Sequence, residues 1–271
     1  MPDEPAALNQ GARPRTPRQP TFGQHALAFV KELLGVVVGA VVVAALLRAF
    51  VGQMFLIPSA SMEQTLRVDD RVVVEKLSRP QRGEVVVFAD PGGWLTGTAV
   101  PERGRVGRAL ELVGVLPDTS TEHLVKRLVG LPGDRVVCCD DQGRISVNGQ
   151  PLDESSYLDI PPGGVQELPS TIRFDVVVPR DRIFVLGDNR ERSRDSRCHL
   201  NDVGAGQPKG GNAFVPVDLV VGRAVAVTWP TGHARRLLIP DTFDPARLDG
   251  PAAATAAPVE PTIDAGPEAT C

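Results

Sequence analysis

The sequence predicts a mainly β fold, in which a single N-terminal transmembrane helix precedes a domain of mostly antiparallel strands. Short Val-rich runs recur between residues 71 and 227, and valine is favoured in strands because its branched side chain suits a pleated surface. The 27 glycines and 25 prolines indicate frequent turns between these runs. One long apolar run precedes them, and it is the source of the predicted helix.

The composition restricts the partners and cofactors that the chain can have. Its 271 residues suffice for about one large soluble domain beside the apolar run. The net charge is -4 and the arginines are spread among carboxylates, so we expect no nucleic-acid partner. The four cysteines lack zinc spacing, and we expect neither a metal nor a cofactor. Outside the cytoplasm one disulfide is compatible with the sequence, for instance Cys198 with Cys138 or Cys139, but the sequence does not choose a connectivity.

Four segments are predicted along the chain. Residues 1–25 form a disordered cytoplasmic tail, because their Pro, Arg, Ala and Gln content cannot bury enough apolar surface to order them. Residues 26–52 form the transmembrane helix and residues 53–240 form the β-sheet domain. Residues 241–271, rich in Pro, Ala and Asp, form a disordered C-terminal tail.

The transmembrane prediction depends on the run Leu33–Leu47, which carries no charge. With its apolar flanks it reaches the roughly 20 residues that a hydrocarbon core requires. Lys31 and three arginines precede it, so the positive-inside rule places the N-terminus in the cytoplasm and the β domain outside the cell membrane. The lipid bilayer is then a partner. The alternative is a cleaved secretory signal, since Ser59-Ala60-Ser61 resembles a small-x-small cleavage site, although such a signal has a shorter apolar core.

The strands are predicted where apolar runs are bounded by turn residues. They are Arg71–Lys76, Gly83–Phe88, a run from His123, two strands within Arg135–Leu152, Phe174–Val178, Arg182–Leu186 and Val215–Val227. The Asn148-Gly149 pair is a strong hairpin signal, because both residue types accept a positive φ. Residues 90–120 form an excursion to which the sequence assigns no role.

Two elements carry residues suited to nucleophilic chemistry. Leu56–Leu66 contains a proline and serines 59 and 61, which predict a tight exposed turn, but a serine is a weak nucleophile without a base. On a strand, Lys126 would share a face with Leu124 and Leu128, and burial there would lower the pKa of its amine enough to make it a general base. The alternative is that Lys126 lies on a solvated face.

A charged loop, Gly187–Arg197, is framed by apolar strands, which is a common location for a functional site. Its simpler interpretation is a surface loop in which Asp195 pairs with Arg197 and Asp188 with Arg127.

Taken in order behind the apolar run, Pro58–Met62, Lys126–Asp134 and Gly187–Arg197 resemble the signature segments of bacterial type I signal peptidases. The resemblance covers roughly residues 30 to 232. It implies a mostly β serine endopeptidase with a Ser/Lys dyad, which removes signal peptides from secretory preproteins after small-x-small sites such as Ala-x-Ala, at the outer face of the membrane.

The resemblance also implies a role for each matching residue. Ser61 is the nucleophile, Lys126 the general base, and the Ser59 hydroxyl joins the Ser61 N–H in the oxyanion hole. Ser193 holds the lysine amine. Four residues brace the site through ion pairs: Asp188, Arg127, Asp195 and Arg197. Six could line the substrate pocket: Phe55, Ile57, Pro58, Met62, Leu66 and Val125. The chain departs from the family pattern at Gln64, where a proline is usual, and in its longer Gly-rich segment after Arg197.

Three other interpretations remain. The first is a catalytically inactive, membrane-anchored β scaffold that binds an envelope partner. The second is a self-cleaving protease of the LexA repressor type, which does not fit, because that type lacks a membrane span and carries a DNA-binding module. The third is a Ser-His-Asp hydrolase using His123 or His199, which the sequence disfavours because it has no G-x-S-x-G motif. The sequence does not indicate the oligomeric state.

Overall fold

The computed structural model describes residues 22–50, 52–95, 104, 107, 123–160, 163, 165–204, 206, 208–249, 256–269 and 271. The chain divides between Val43 and Ala44 into two compact units. The predicted N-terminal tail up to residue 21 lies outside the described residues, as does most of the 90–120 segment.

Helix α1 runs from Phe22 to Phe50 and contains the uncharged run of the sequence. Large apolar side chains along its described turns are exposed, among them Phe29, Leu34 and Val36. Within the described residues, no helix combines the length and the apolar character that crossing a membrane requires.

The rest of the described chain is mainly antiparallel β structure, as predicted. Its strands are β1 Gly52–Leu56, β2 Arg71–Glu75, β3 Val85–Ala89, β4 His123–Gly130, β5 Arg135–Cys138, β6 Ile145–Val147, β7 Gln150–Pro151, β8 Phe174–Val177, β9 Arg182–Leu186, β10 Val215–Pro216, β11 Val220–Trp229, β12 Arg235–Arg236 and β13 Thr262–Ala265. A short helix, α2, spans Pro245–Leu248. The predicted Val-rich strands are thus all present.

The larger sheet places the chemistry-bearing residues near its middle. Its order is β1-β2-β11-β3-β4-β9-β10, with β12 paired to β11. In the antiparallel registers, Lys126 of β4 lies opposite Val86 of β3, and Arg127 lies opposite Leu186, the last residue of β9. The charged loop that begins at Gly187 therefore leaves the sheet beside β4.

The smaller sheet has the order β13-β8-β5-β6-β7. Its core includes Val136, Ile145 and Phe174, all at most 3% exposed. The predicted hairpin joins β6 and β7, where Asn148 and Gly149 have φ values of 52° and 79°. Positive φ at both central residues is the geometry that Asn-Gly favours, so the turn signal was correct.

The C-terminal segment differs from the predicted disordered tail in its described part. Phe243 and Leu248 are each 1% exposed, and β13 pairs antiparallel with β8. The average hydrophobicity of this segment is low, but a few of its apolar residues are buried in the core. Disulfides join Cys198 to Cys271 and Cys138 to Cys139, so the suggested Cys198 bridge to the adjacent pair was wrong. Cys271 becomes a partner because β13 carries the chain back to the domain.

Candidate active site

The serine segment forms a turn whose two serines differ in exposure. Ser59 is exposed, whereas Ser61 lies in a 3-10 helix, Ala60–Met62, and is 7% exposed. The turn is closed by backbone hydrogen bonds from Ile57 N to Asp70 O and from Asp69 N to Ile57 O, each 2.9 Å. The expectation of an exposed turn therefore holds for Ser59 but not for Ser61.

Ser61 meets Lys126 directly. Lys126 Nζ donates a hydrogen bond to Ser61 Oγ at 2.5 Å, and Ser59 Oγ lies 3.3 Å from the same oxygen. Lys126 is 3% exposed, which excludes the solvated-face alternative. These two residues are 65 positions apart in sequence. The fold brings them together, with Lys126 on the inner strand β4 and Ser61 on the turn that follows β1.

Burial changes the protonation of Lys126. Loss of hydration lowers the pKa of its amine to about 8, while the carboxylates of Asp195 and Asp188 oppose this effect and the Arg197 cation adds to it. An amine with this pKa is partly neutral near pH 7. In the neutral form it can accept a proton from the Ser61 hydroxyl across the existing contact.

Arg127 and Asp188 form a buried ion pair beside the dyad. Arg127 Nε donates to Asp188 Oδ1 at 2.8 Å, and a second guanidinium nitrogen donates to Oδ2 at 2.5 Å. The same guanidinium donates to Gly83 O at 2.6 Å and to Thr65 Oγ1 at 3.1 Å. Burial alone would lower the pKa of Arg127, but the Asp188 carboxylate raises it overall. This ion pair connects β4, the charged loop that follows β9 and the segment after Ser61.

A second buried ion pair involves Asp195 and Arg197. Arg197 Nε donates to Asp195 Oδ1 at 2.9 Å, and Gly187 N donates to Oδ2 at 2.9 Å. Although burial raises the pKa of Asp195, the Arg197 cation holds it below its usual value. Ser193 Oγ donates to Asp195 Oδ2 at 2.8 Å. Its hydrogen-bond partner is thus Asp195, and the implied role of Ser193 on the lysine amine stays a prediction.

Of the six predicted pocket residues, the structure brings five into one cluster of buried side chains. These are Phe55, Ile57, Met62, Leu66 and Val125, and they pack with valines of β2 and β3. Pro58 is exposed. Phe55 and Val125 keep the most surface of the five, at 5% and 8%. Their contact with substrate remains a prediction.

The two histidines weighed as bases have other neighbours. His123 packs edge-to-face against Phe55 with ring centroids 5.1 Å apart. His199 Nδ1 lies 2.6 Å from Asp202 Oδ2, and its ring stacks on Trp94. Among the described residues, the hydrogen-bond partners of the Ser61 hydroxyl are Lys126 and Ser59. The geometry therefore favours lysine as the base.

Gln64 has a φ of 74°. Proline is restricted to a φ near about −65° and cannot adopt this conformation. The chain therefore adopts a turn at this position that a proline would not allow. Arg235 supports that turn by donating to the carbonyl oxygens of Gln64, at 3.1 Å, and Thr65.

Gly187 and Asn189 are contact residues that the sequence reasoning did not assign. A Cβ added to Gly187 would lie 2.2 Å from Ser193 Oγ and 2.5 Å from Ser61 O. Asn189 N donates to Ser61 O at 3.1 Å, and its side chain donates to Glu63 at 3.3 Å. A glycine directly after a buried strand was the available signal, because it often marks a close approach of other atoms.

Replacing Gly187 with alanine is expected to lower kcat for the peptide cleavage that the resemblance implies by at least about ten-fold, because Ser61 or Ser193 must move to admit the methyl group. Steady-state kinetics of Gly187→Ala measures the effect. Gly232→Ala is the control, since a Cβ there meets nothing within 4 Å. Equal kcat values for the two variants would show that the site tolerates the displacement.

Comparison with known proteins identifies the family. Residues 30–229 match the sequence profile described as signal peptidase, peptidase S26. The chain is 37% identical over 221 residues to the signal peptidase I of Mycobacterium tuberculosis, with 74% of this chain and 73% of that protein covered. The probable signal peptidase I of Mycobacterium leprae is 36% identical over 206 residues, covering 67% and 70%. The probable signal peptidase I-2 of Synechocystis is 36% identical over 203 residues, covering 73% of each. The resemblance drawn from the three segments is confirmed, and this chain belongs to the signal peptidase family, peptidase S26.

Proposed function

We propose that the chain is a membrane-anchored serine endopeptidase that removes signal peptides from secretory preproteins, with Ser61 as the nucleophile and Lys126 as the general base. Family membership supports the reaction. The observation that carries the assignment of roles is the 2.5 Å contact between Lys126 Nζ and Ser61 Oγ, inside a site where burial favours the neutral amine.

The first half of the reaction forms an acyl-enzyme. Neutral Lys126 takes the proton of the Ser61 hydroxyl as Oγ attacks the scissile carbonyl carbon. Negative charge develops on the carbonyl oxygen, and the Ser61 N–H and the Ser59 hydroxyl are the proposed donors to it. When the peptide C–N bond breaks, the Lys126 ammonium gives its proton to the leaving amine of the mature protein. The signal peptide remains esterified to Ser61.

The second half releases the signal peptide. Lys126, neutral again, takes a proton from a water molecule that attacks the ester carbonyl. The Ser61 oxygen leaves and recovers its proton from the lysine. Asp188, Arg127, Asp195 and Arg197 take no proton in this scheme. They position β4 and the Gly187–Arg197 loop around Lys126 through their buried hydrogen bonds.

The proposed specificity is for small residues at the cleavage site, as in Ala-x-Ala. The cluster that holds Phe55, Met62 and Val125 is densely packed beside the nucleophile. A small substrate side chain fits beside these buried residues with little rearrangement, whereas a large one requires them to move.

The proposed anchor is a single transmembrane helix over residues 26–52, with residues 53–240 outside the membrane as the catalytic domain. Its support is the uncharged run Leu33–Leu47 and the cations that precede it. Labelling of single-cysteine variants from either side of sealed vesicles tests the orientation. In right-side-out vesicles, labelling of a cysteine at residue 3 only after the vesicles are opened supports a cytoplasmic N-terminus, and labelling from the outer face of intact vesicles contradicts it.

The test of the reaction is cleavage of a preprotein with an Ala-x-Ala site by the detergent-solubilised chain. We expect one cut directly after this site, identified by N-terminal sequencing of the product. Replacing the site alanines with large apolar residues should prevent the cut. A chain that binds the preprotein but never cleaves it would support the alternative, an inactive β scaffold.

The pH dependence follows from the pKa of Lys126. The reaction needs the neutral amine, and with a pKa of about 8 the neutral fraction falls about ten-fold for each pH unit below that value. We therefore expect kcat/KM to rise with pH and to level off above about 8. Cleavage rates measured from about pH 6 to about pH 10 test this, because that range spans the expected transition. An acid limb near about 6.5 that disappears in His123→Ala or His199→Ala would assign the base to a histidine.

A further inference from the structure

The segment formed by residues 256–269 and Cys271, here called the C-terminal strap, packs beside the loop that braces the proposed dyad. Its strand β13 pairs with β8, and Ala269 is fully buried. Asn201 Nδ2 donates to Gly266 O of the strap at 2.8 Å. The disulfide between Cys271 and Cys198 adds a covalent bond. The strap is thus attached both to the smaller sheet and to the segment after the charged loop.

Cys198 lies where a displacement would reach the bracing residues. It belongs to the 3-10 helix Ser196–His199, directly after Arg197, and Asp195 caps this helix by accepting from Arg197 N at 3.2 Å. Cys198 Sγ lies 3.7 Å from the carbonyl oxygen of Ser193. The disulfide is therefore in contact with the loop whose Asp195 carboxylate binds Ser193, Gly187 and Arg197.

The strap also lines a groove with that loop. A cavity of about 470 Å³ is bounded by Glu268 and Cys271 of the strap and by loop residues that include Ser193, Arg194 and Arg197. Beside this space, the Cys198–Cys271 disulfide is a covalent connection between the strap and the segment that follows Arg197.

We propose that the C-terminal strap, through its disulfide to Cys198, is a redox-sensitive positioning element. It holds residues Ser193–Arg197 of the charged loop in place beside the Ser61–Lys126 pair. The inference rests on the proposed roles of Ser61 and Lys126. A reducing dithiol breaks the S–S bond by two thiol–disulfide exchanges. Its two thiols supply the two electrons and two protons, leaving Cys198 and Cys271 as thiols and the dithiol as a disulfide. The freed loop then positions Asp195 less well, and the dyad loses its alignment.

The test uses the full chain carrying Cys138→Ser and Cys139→Ser, which retains only the Cys198–Cys271 disulfide. Preprotein cleavage is measured before and after dithiothreitol, with thiol alkylation and mass spectrometry to count the reduced cysteines. We expect kcat to fall by about ten-fold, because small displacements of catalytic groups have effects of this size or larger. KM should change little, since the proposed pocket residues belong to a separate cluster. Reoxidation should restore kcat.

Adding Cys271→Ser to the same background provides the matched control. Its kcat should equal that of the reduced parent and should not respond to dithiothreitol. An unchanged kcat in the fully reduced parent would overturn the inference, as would an equal response of the Cys271→Ser variant. Circular dichroism at the assay temperature verifies that each form is folded.

Asn201→Ala keeps the inference testable if the reduced chain unfolds. It removes the hydrogen bond to Gly266 and leaves the disulfide intact. Under the proposal its kcat falls by about two- to three-fold at unchanged KM. A normal kcat, together with unfolding on reduction, would show that the strap supports stability alone. Failure of the dyad assignment is distinguishable, because it would leave Ser61→Ala active whatever the state of the disulfide.

Discussion

Lys126→Ala and Ser61→Ala are each expected to reduce kcat for preprotein cleavage by at least roughly ten-thousand-fold, because neither residue of such a pair retains much activity alone. Without Lys126, no other base among the described residues is hydrogen-bonded to the Ser61 hydroxyl, and the leaving amine loses its proposed proton donor. Without Ser61, no acyl-enzyme can form. The double variant should be little slower than either single variant, since the two residues act in one step.

Single-turnover cleavage with purified protein measures these losses below the range of steady-state assays. Lys209→Ala and Ser155→Ala are the matched controls, because both residues are exposed. Full activity is expected in both. If Lys126→Ala retained even a tenth of the wild-type kcat, the 2.5 Å contact would be structural and another base would be needed.

Arg127→Met is expected to lower the free energy of unfolding by about 3–5 kcal/mol, the range measured when one partner of a buried ion pair is removed. The Arg127 and Asp188 side chains are 3% and 0% exposed, so the variant leaves an uncompensated carboxylate inside the protein. It also removes the hydrogen bonds to Gly83 O and Thr65. Urea unfolding followed by circular dichroism measures the change.

The chain offers a matched exposed pair. Arg135 binds Asp175 in the smaller sheet, and the Arg135 side chain is 63% exposed. Arg135→Met should cost less than about 1 kcal/mol, because solvent screens the pair. Adding Asp188→Leu to Arg127→Met should recover part of the lost stability by removing the buried charge. If both arginine variants lost the same free energy of unfolding, the Asp188 carboxylate would have to be hydrated in the folded protein.

The C-terminal segment shows where composition is a weak guide. Residues 241–271 are rich in Pro, Ala and Asp, which indicates disorder on average. Order at Phe243, Leu248 and β13 arises from a few apolar contacts and a paired strand. A disulfide to Cys198 adds to them. Each depends on a partner far away in sequence, which no local average can reveal.

The family, the β class and the two residues proposed for the chemistry can all be read from the amino-acid sequence. Strand periodicity and turn residues are local properties, and the three signature segments are contiguous, so both are readable from the chain alone. The burial of Lys126 and its 2.5 Å contact with Ser61 Oγ are visible only in the folded protein. The same is true of the hydrogen bond from Ser193 to Asp195 and of the enclosure of Gly187 by Ser61 and Ser193. These facts depend on strand order and register. Sheet pairing joins segments distant in sequence, and the desolvation that lowers the Lys126 pKa exists only after they have packed together.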